Sequence, residues 1–124
     1  MKKLNILVVD DIFTNRLLLS EILAGIGHDT QEAENGQIAL DKIMEQEFDL
    51  VFMDIEMPVM NGLETTETIR NTFTSPKNKI PIIALTAHNP NLFFDDYLDV
   101  GFDQLLTKPY SIEKITKMIL QFSG

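Results

Sequence analysis

The chain has no cysteine among its 124 residues, so neither disulfides nor thiolate metal sites can contribute, and nothing in it points to an oxidising compartment. Any metal must be held by oxygen or by the two histidines, His28 and His88. Basic residues are scarce as well: 10 Lys and Arg stand against 19 Asp and Glu, a formal charge of −9. That balance works against unaided binding of nucleic acid, which draws its affinity from Lys and Arg clustered on phosphates. No direct nucleic-acid contact is expected. No apolar run approaches the roughly 20 residues needed to span a membrane, and the short apolar stretch after Lys2-Lys3 ends in two aspartates, unlike a secretion signal. A soluble, cytoplasmic protein without membrane contact is the expectation. Internal repeats, linkers and low-complexity tracts are also missing, and the length and 44% hydrophobic content suit one domain over residues 1–124.

What is present is an alternation of short β-branched runs with longer stretches of helical period, the pattern of a parallel sheet covered by helices on both faces. Five strand-then-helix repeats are predicted. Strand one is 5–9, and its helix at about 14–26 carries Leu18, Ile22, Ile26, Leu19 and Leu23 at three- and four-residue spacing, with Gly25 and Gly27 suited to its end. Strand two falls near 30–33, and Asn35-Gly36 turns the chain into a helix carrying Ile38, Ala39, Ile43 and Met44. Strand three is 50–53, followed by a helix at about 62–71 and a loop over 72–79. Strand four is 82–85, a helix follows at about 91–100, and strand five is 104–106. Ser111 reads as the N-cap of a last helix whose stripe is Ile112, Ile115, Ile119 and Phe122. Runs as apolar as Ile82-Ile83-Ala84-Leu85 imply burial on both faces.

The strand ends carry chemistry. Leu50-Val51-Phe52-Met53 ends in Asp54, read as an exposed carboxylate able to act as a nucleophile. Ile6-Leu7-Val8-Val9 ends in Asp10-Asp11, and the fourth and fifth strands end in Thr86 and Lys108. With right-handed crossovers all five residues share the carboxyl edge of the sheet. One aspartate at a strand end is usually a turn residue; five such groups on one rim are hard to explain as turns. Three carboxylates there repel one another, and a divalent cation with oxygen ligands relieves this most simply. Magnesium suits best, because it uses one or two carboxylates plus a phosphoryl oxygen and keeps waters. A phosphoryl group at Asp54 would meet that cation and the Lys108 ammonium, and Thr86 could donate to it only once it is present, which is the kind of differential contact that shifts a population.

The segments Ile6-Leu7-Val8-Val9-Asp10-Asp11, Met53-Asp54-Ile55-Glu56-Met57-Pro58-Val59-Met60-Asn61-Gly62, Pro81-Ile82-Ile83-Ala84-Leu85-Thr86-Ala87 and Thr107-Lys108-Pro109 closely resemble the receiver domain of bacterial two-component response regulators. Through Thr14-Asn15-Arg16, Met57-Pro58-Val59-Met60 and Leu85-Thr86-Ala87-His88 the chain looks most like the receivers of hybrid histidine kinases. The resemblance implies a flavodoxin-like (βα)5 sheet of order 2-1-3-4-5, the order for which a receiver protein is a standard example. It makes Asp54 the phosphoacceptor and Asp11 a magnesium ligand, with Asp10 acting mainly through water and the Glu56 backbone carbonyl completing the set. Thr86 becomes the switch hydroxyl and Lys108 the phosphate-binding lysine, with Pro109 after a cis bond. The implied partner is a histidine kinase or histidine phosphotransfer domain, and such a protein catalyses its own modification without being a turnover enzyme. Leu105 stands where many receivers have Tyr or Phe, and Ile12 where many have Asn.

The remaining candidates divide between bland and functional readings. Glu56 and His88 each lie two residues beyond a site residue, where they would tune the phosphoryl lifetime or sit inert in loops. His28 reads as a helix-end or surface residue, and Asp95, Asp96 and Asp99 as a solvated helix face. Some of Phe93, Phe94 and Tyr97 must face outward, which would fit a homodimer or transfer interface through the 91–100 helix and the fifth strand. Two rival functions remain. A magnesium-dependent aspartyl-phosphate hydrolase would place an Asp where Glu56 stands. A flavin module would need a Ser/Thr/Gly loop where Asp10-Asp11-Ile12 stands.

Overall fold

The computed structural model describes residues 3–87 and 99–122. The elements are β1 (Asn5–Val9), α1 (Phe13–Gly25), β2 (Asp29–Ala33), α2 (Gly36–Glu45), β3 (Leu50–Asp54), α3 (Gly62–Thr72), a 3-10 turn (Lys77–Lys79), β4 (Ile82–Thr86), β5 (Gln104–Thr107) and α4 (Ile112–Leu120). All strand pairs are parallel and their order is β2-β1-β3-β4-β5, the flavodoxin-like order expected. The predicted helix at 91–100 falls almost wholly outside the described residues, and with it His88, Phe93, Phe94, Asp95, Asp96 and Tyr97. Asp99, which is described, is helical and exposed as expected.

The two faces of the sheet are sorted by the two-residue period of a strand. Leu7, Val9, Val51, Met53, Ile82 and Ala84 point to the side covered by α2 and α3, where Ala39, Leu40, Ile43 and Ile69 pack on them. Ile6, Val8, Leu50, Phe52, Ile83 and Leu85 point to the other side, against Leu19 and Leu23 of α1 and Ile115 and Ile119 of α4. This double burial is why β3 and β4 contain no exposed residue and why they read as continuous apolar runs. β2, by contrast, is an edge strand with a single buried residue, Ala33.

Helix ends follow their local chemistry. Asn35 and Ser111 cap α2 and α4 by accepting from the backbone N–H of Ile38 and Lys114. Asn61 caps α3 in a reciprocal box with Glu64. α1 ends in a paired motif, Gly27 N–H to Ala24 O and His28 N–H to Leu23 O, with Gly27 at φ +99°. Arg70 of α3 ties the lower edge together: its guanidinium donates to the carbonyls of Asn78, Ile80 and Gly101 and pairs with Asp103 at 3.0 Å.

Four local expectations change. His28 is buried, 4% exposed, and its Nδ1 accepts from the Leu4 N–H at 3.0 Å; the turn that ends α1 folds it under β1, and burial lowers its pKa. Ile112 is exposed and Leu18 half exposed, so the buried stripes are Ile115-Ile119 and Leu19-Leu23. Met44 likewise faces solvent. The 72–79 loop contains the 3-10 turn, whose Lys77 Nζ binds the carbonyls of Ile43 and Gln46 at the C-terminal end of α2.

Gly62, the first residue of α3, packs directly on the backbone that ends β3. A Cβ there would lie 2.2 Å from the Asp54 carbonyl oxygen and 2.9 Å from Ile55 Cα, both backbone atoms that cannot swing away. Gly62→Ala should therefore destabilise the protein by about 1–3 kcal/mol, read as a lowered urea midpoint. A midpoint at or above that of the wild type would refute this close contact.

Candidate functional site

The strand ends converge as the topology requires. Asp54 is the last residue of β3, opposite Leu85 of the neighbouring strand, and Thr86, one residue further on, is the last of β4. Asp10 follows β1 and Lys108 follows β5 by one residue. The Lys108 N–H donates to the Thr86 carbonyl at 2.8 Å, extending the β4–β5 pairing to the rim, and the Lys108–Pro109 bond is cis.

Asp54 is not the exposed acid that its place at a strand end suggested: it is 3% exposed, and Asp10 is 1% exposed. Asp11 is the more open of the three. Lys108 Nζ lies 3.3 Å from Asp54 Oδ1 and 3.5 Å from Asp10 Oδ2, so one ammonium bridges two buried carboxylates. The remaining contacts hold the acids in place. Glu56 N–H donates to Asp54 Oδ1 at 3.3 Å, and Ile12 N–H to Asp10 Oδ1 at 2.9 Å. Asp10 N–H donates to Ala33 O at 3.1 Å. Asp10, Asp11 and Asp54 each bring a carboxylate oxygen within 4.8 Å of the others. This all-oxygen donor set matches a hard divalent cation and no softer metal.

The electrostatics state the same thing from the protein's side. Burial, and then the charge of Asp10, push the Asp54 carboxyl up to about 6; Lys108 and the Glu56 N–H pull the other way without cancelling them. One lysine is too little positive charge for this pocket. Tyr110, two residues beyond Lys108, has its hydroxyl buried without a hydrogen-bond partner among the described residues, and its own burial raises its pKa.

The sequence model of the response regulator receiver domain family matches residues 6–120. The chain belongs to this family. It is 38% identical over 120 residues to the sensor histidine kinase GacS of Pseudomonas protegens, covering 96% of this chain and 13% of that protein. It is 35% identical over 122 residues to the aerobic respiration control sensor protein ArcB of Escherichia coli K12, covering 96% and 15%. The receiver thus spans about one seventh of these curated relatives. Among solved structures it is similar to the receiver domain of the sensor histidine kinase PA1611 of Pseudomonas aeruginosa PAO1, with TM-score 0.87 and 26% identity over 98% of both chains; that receiver carries a magnesium ion coordinated in its active site cleft. The chain is thus most like the receivers of hybrid histidine kinases. No helix among the described residues is long and apolar enough to cross a membrane.

Of the residues singled out from the sequence, the receiver fold brings Asp10, Asp11, Asp54 and Lys108 together and places Thr86 beside them at the end of β4. Glu56 adjoins Asp54 through its backbone N–H and is exposed. Leu105 lies 8% exposed in the core on the α2–α3 side of the sheet, so no half-exposed ring stands at this position. Ile12 is the N-cap of α1 and is half exposed. Arg16 carries no role in its sequence pattern, yet its guanidinium reaches the Asp10 carbonyl. Only a contact spanning more than one turn of helix could have revealed that.

The raised Asp54 pKa has a sign that can be measured. Its folded value, about 6, lies above the ordinary 3.8, so the folded chain binds this proton more tightly than the unfolded chain. Its contribution favours folding below pH about 4 and is lost as pH rises toward and past 6. Asp54→Asn should accordingly stabilise the metal-free protein at pH 7.5 by on the order of 1–3 kcal/mol, and the gain should shrink toward pH 4. Urea midpoints in the presence of a chelator test this; a gain that does not change with pH would contradict it.

Proposed function

We propose that this receiver is the phosphoacceptor of a two-component phosphorelay, with Asp54 taking a phosphoryl group from a phosphohistidine in a histidine kinase or histidine phosphotransfer domain. The observation that carries the reading is the buried Asp54 carboxylate bridged by Lys108 to Asp10, with Asp11 in reach. An Asp54 oxygen attacks phosphorus, the N–P bond to the donor imidazole breaks, and its electron pair stays on the imidazole nitrogen. Glu56 N–H and Lys108 Nζ both fall on Oδ1, which leaves Oδ2 with its lone pairs for the attack. Lys108 stabilises charge building on the transferred group, where a fixed cation needs no reorganisation.

Asp10, Asp11, Asp54 and the Glu56 backbone carbonyl would hold magnesium. When bound, the ion supplies positive charge to the phosphoryl oxygens and offsets the repulsion that raises the Asp54 pKa. Thr86 would donate to a phosphoryl oxygen and so report its arrival. The chain then promotes its own phosphorylation and hydrolysis and is no turnover enzyme. Its excess of acid supports a protein partner over nucleic acid. A homodimer through the 91–100 helix and β5 belongs to the same reading, and its aromatic residues lie outside the described ones.

Intact mass after incubation with magnesium and a small phosphodonor should show one phosphoryl adduct on the wild type and none on Asp54→Asn. An adduct on both, or on neither, would overturn the assignment. Lys108→Ala should slow adduct formation by about 100-fold, in line with losing one charge-stabilising donor, and an unchanged rate would remove its role. Thr86→Ala should keep the adduct and blunt the change in amide hydrogen exchange that follows it in the wild type. A full response in that variant would show that another group is the switch.

A further inference from the structure

Arg16, the only cation of α1, touches none of the atoms at which phosphoryl transfer is proposed, but it is bound to the backbone that carries them. Nη1 donates to the carbonyl oxygen of Asp10 at 2.8 Å. Nε donates to Glu32 Oε1 on β2 at 3.2 Å, a pair in which the arginine side chain is only 12% exposed and the glutamate 37%. The guanidinium carbon lies 5.6 Å from the centroid of the Phe13 ring, so a third neighbour limits its motion. The planar fork thus spans two elements that meet at the rim: the end of β1 and its edge neighbour β2.

The grip matters because of which carbonyl it holds. The Asp10 carbonyl and the Asp11 N–H belong to one planar peptide unit, so fixing that oxygen fixes the plane from which the Asp11 side chain departs. The other restraints on Asp10 fall on its N–H, which donates to Ala33 O, and on its side chain, which accepts from Ile12 N–H and pairs with Lys108. None of them engages the Asp10 carbonyl oxygen, which Arg16 holds. Both aspartates belong to the trio whose oxygens lie within 4.8 Å of one another.

We infer that Arg16 is a positioning residue for divalent-cation binding: braced by Glu32, it orients the Asp10–Asp11 peptide so that both carboxylates face Asp54. The inference rests on the magnesium reading of the site. Charge and geometry predict opposite signs, which makes it testable. A guanidinium beside three carboxylates repels a dication, so charge alone says that removing Arg16 should tighten magnesium binding. Positioning says that removal should loosen it, by about tenfold or more, the usual scale for groups that orient metal ligands. Lysine keeps the charge but cannot bridge two acceptors with a planar fork.

The experiment is calorimetric titration of magnesium into the metal-free chain for wild type, Arg16→Gln, Arg16→Lys and Glu32→Gln. Both Arg16 variants should bind about tenfold or more weakly, and Glu32→Gln should move in the same direction by less. With a small phosphodonor, the half-saturating magnesium concentration of Arg16→Gln should rise while its rate at saturating magnesium stays near that of the wild type. Binding by Arg16→Gln at or above wild-type strength overturns the inference, as does a lowered Tm with an unmoved magnesium half-saturation, which would mark a merely structural role. Wild type that binds magnesium but takes no phosphoryl group would sink the phosphoacceptor reading alone. Wild type that binds no magnesium would sink both.

Discussion

Two buried carboxylates, Asp10 and Asp54, share a single ammonium, Lys108, at the carboxyl edge of a parallel sheet, with Asp11 close enough to add its own charge. Burying like charges together with one counter-charge costs free energy unless further positive charge arrives, and the raised Asp54 pKa expresses that shortfall. The surrounding architecture resists the repulsion. Continuous β1 and β3 pairing fixes the two strand ends, the β4–β5 pairing brings in Lys108, and the backbone N–H groups of Ile12 and Glu56 each engage a carboxylate oxygen. The apolar core beneath is what allows such a site to persist, because two faces of buried Leu, Ile, Val and Phe hold the sheet rigid under its charged rim.

That imbalance also explains why a receiver can respond to a small chemical event. A site already short of positive charge is sensitive to a cation and to a phosphoryl group, since each changes the balance of forces on the loops that carry the acids. The chain's relatives place such a domain within sensor kinases many times its length. Leu105 is buried in the core on the α2–α3 side of the sheet, so its side chain is aliphatic and enclosed at the position where many receivers carry a ring.

Much of the fold was legible because its strands are buried on both faces. Leu50-Val51-Phe52-Met53 and Ile82-Ile83-Ala84-Leu85 announce themselves as unbroken apolar runs, and their ends locate the acids, Thr86 and Lys108. Residues whose burial depends on a neighbouring element were harder to read. Ile112 lies on the helical period of α4 yet faces solvent, because the sheet meets only the Ile115-Ile119 stripe. His28 looked like a surface residue and lies under β1. Thr65 and Thr66 are fully buried between α3 and its neighbours with no apolar signal to mark them.

The sequence alone determined the βα alternation, the order of polar groups along the strand ends and the shortage of cations, since composition and two- or four-residue periods are local properties. Only the tertiary structure decided that Asp54 is enclosed, that one lysine serves two carboxylates, and that Arg16 of α1 joins the Asp10 carbonyl to Glu32 of β2. Those facts depend on distances between residues far apart in the chain, and no local pattern encodes them. The physical reason is the parallel sheet itself, which aligns strand ends from all over the sequence on one edge and leaves packing to choose how deeply each is buried.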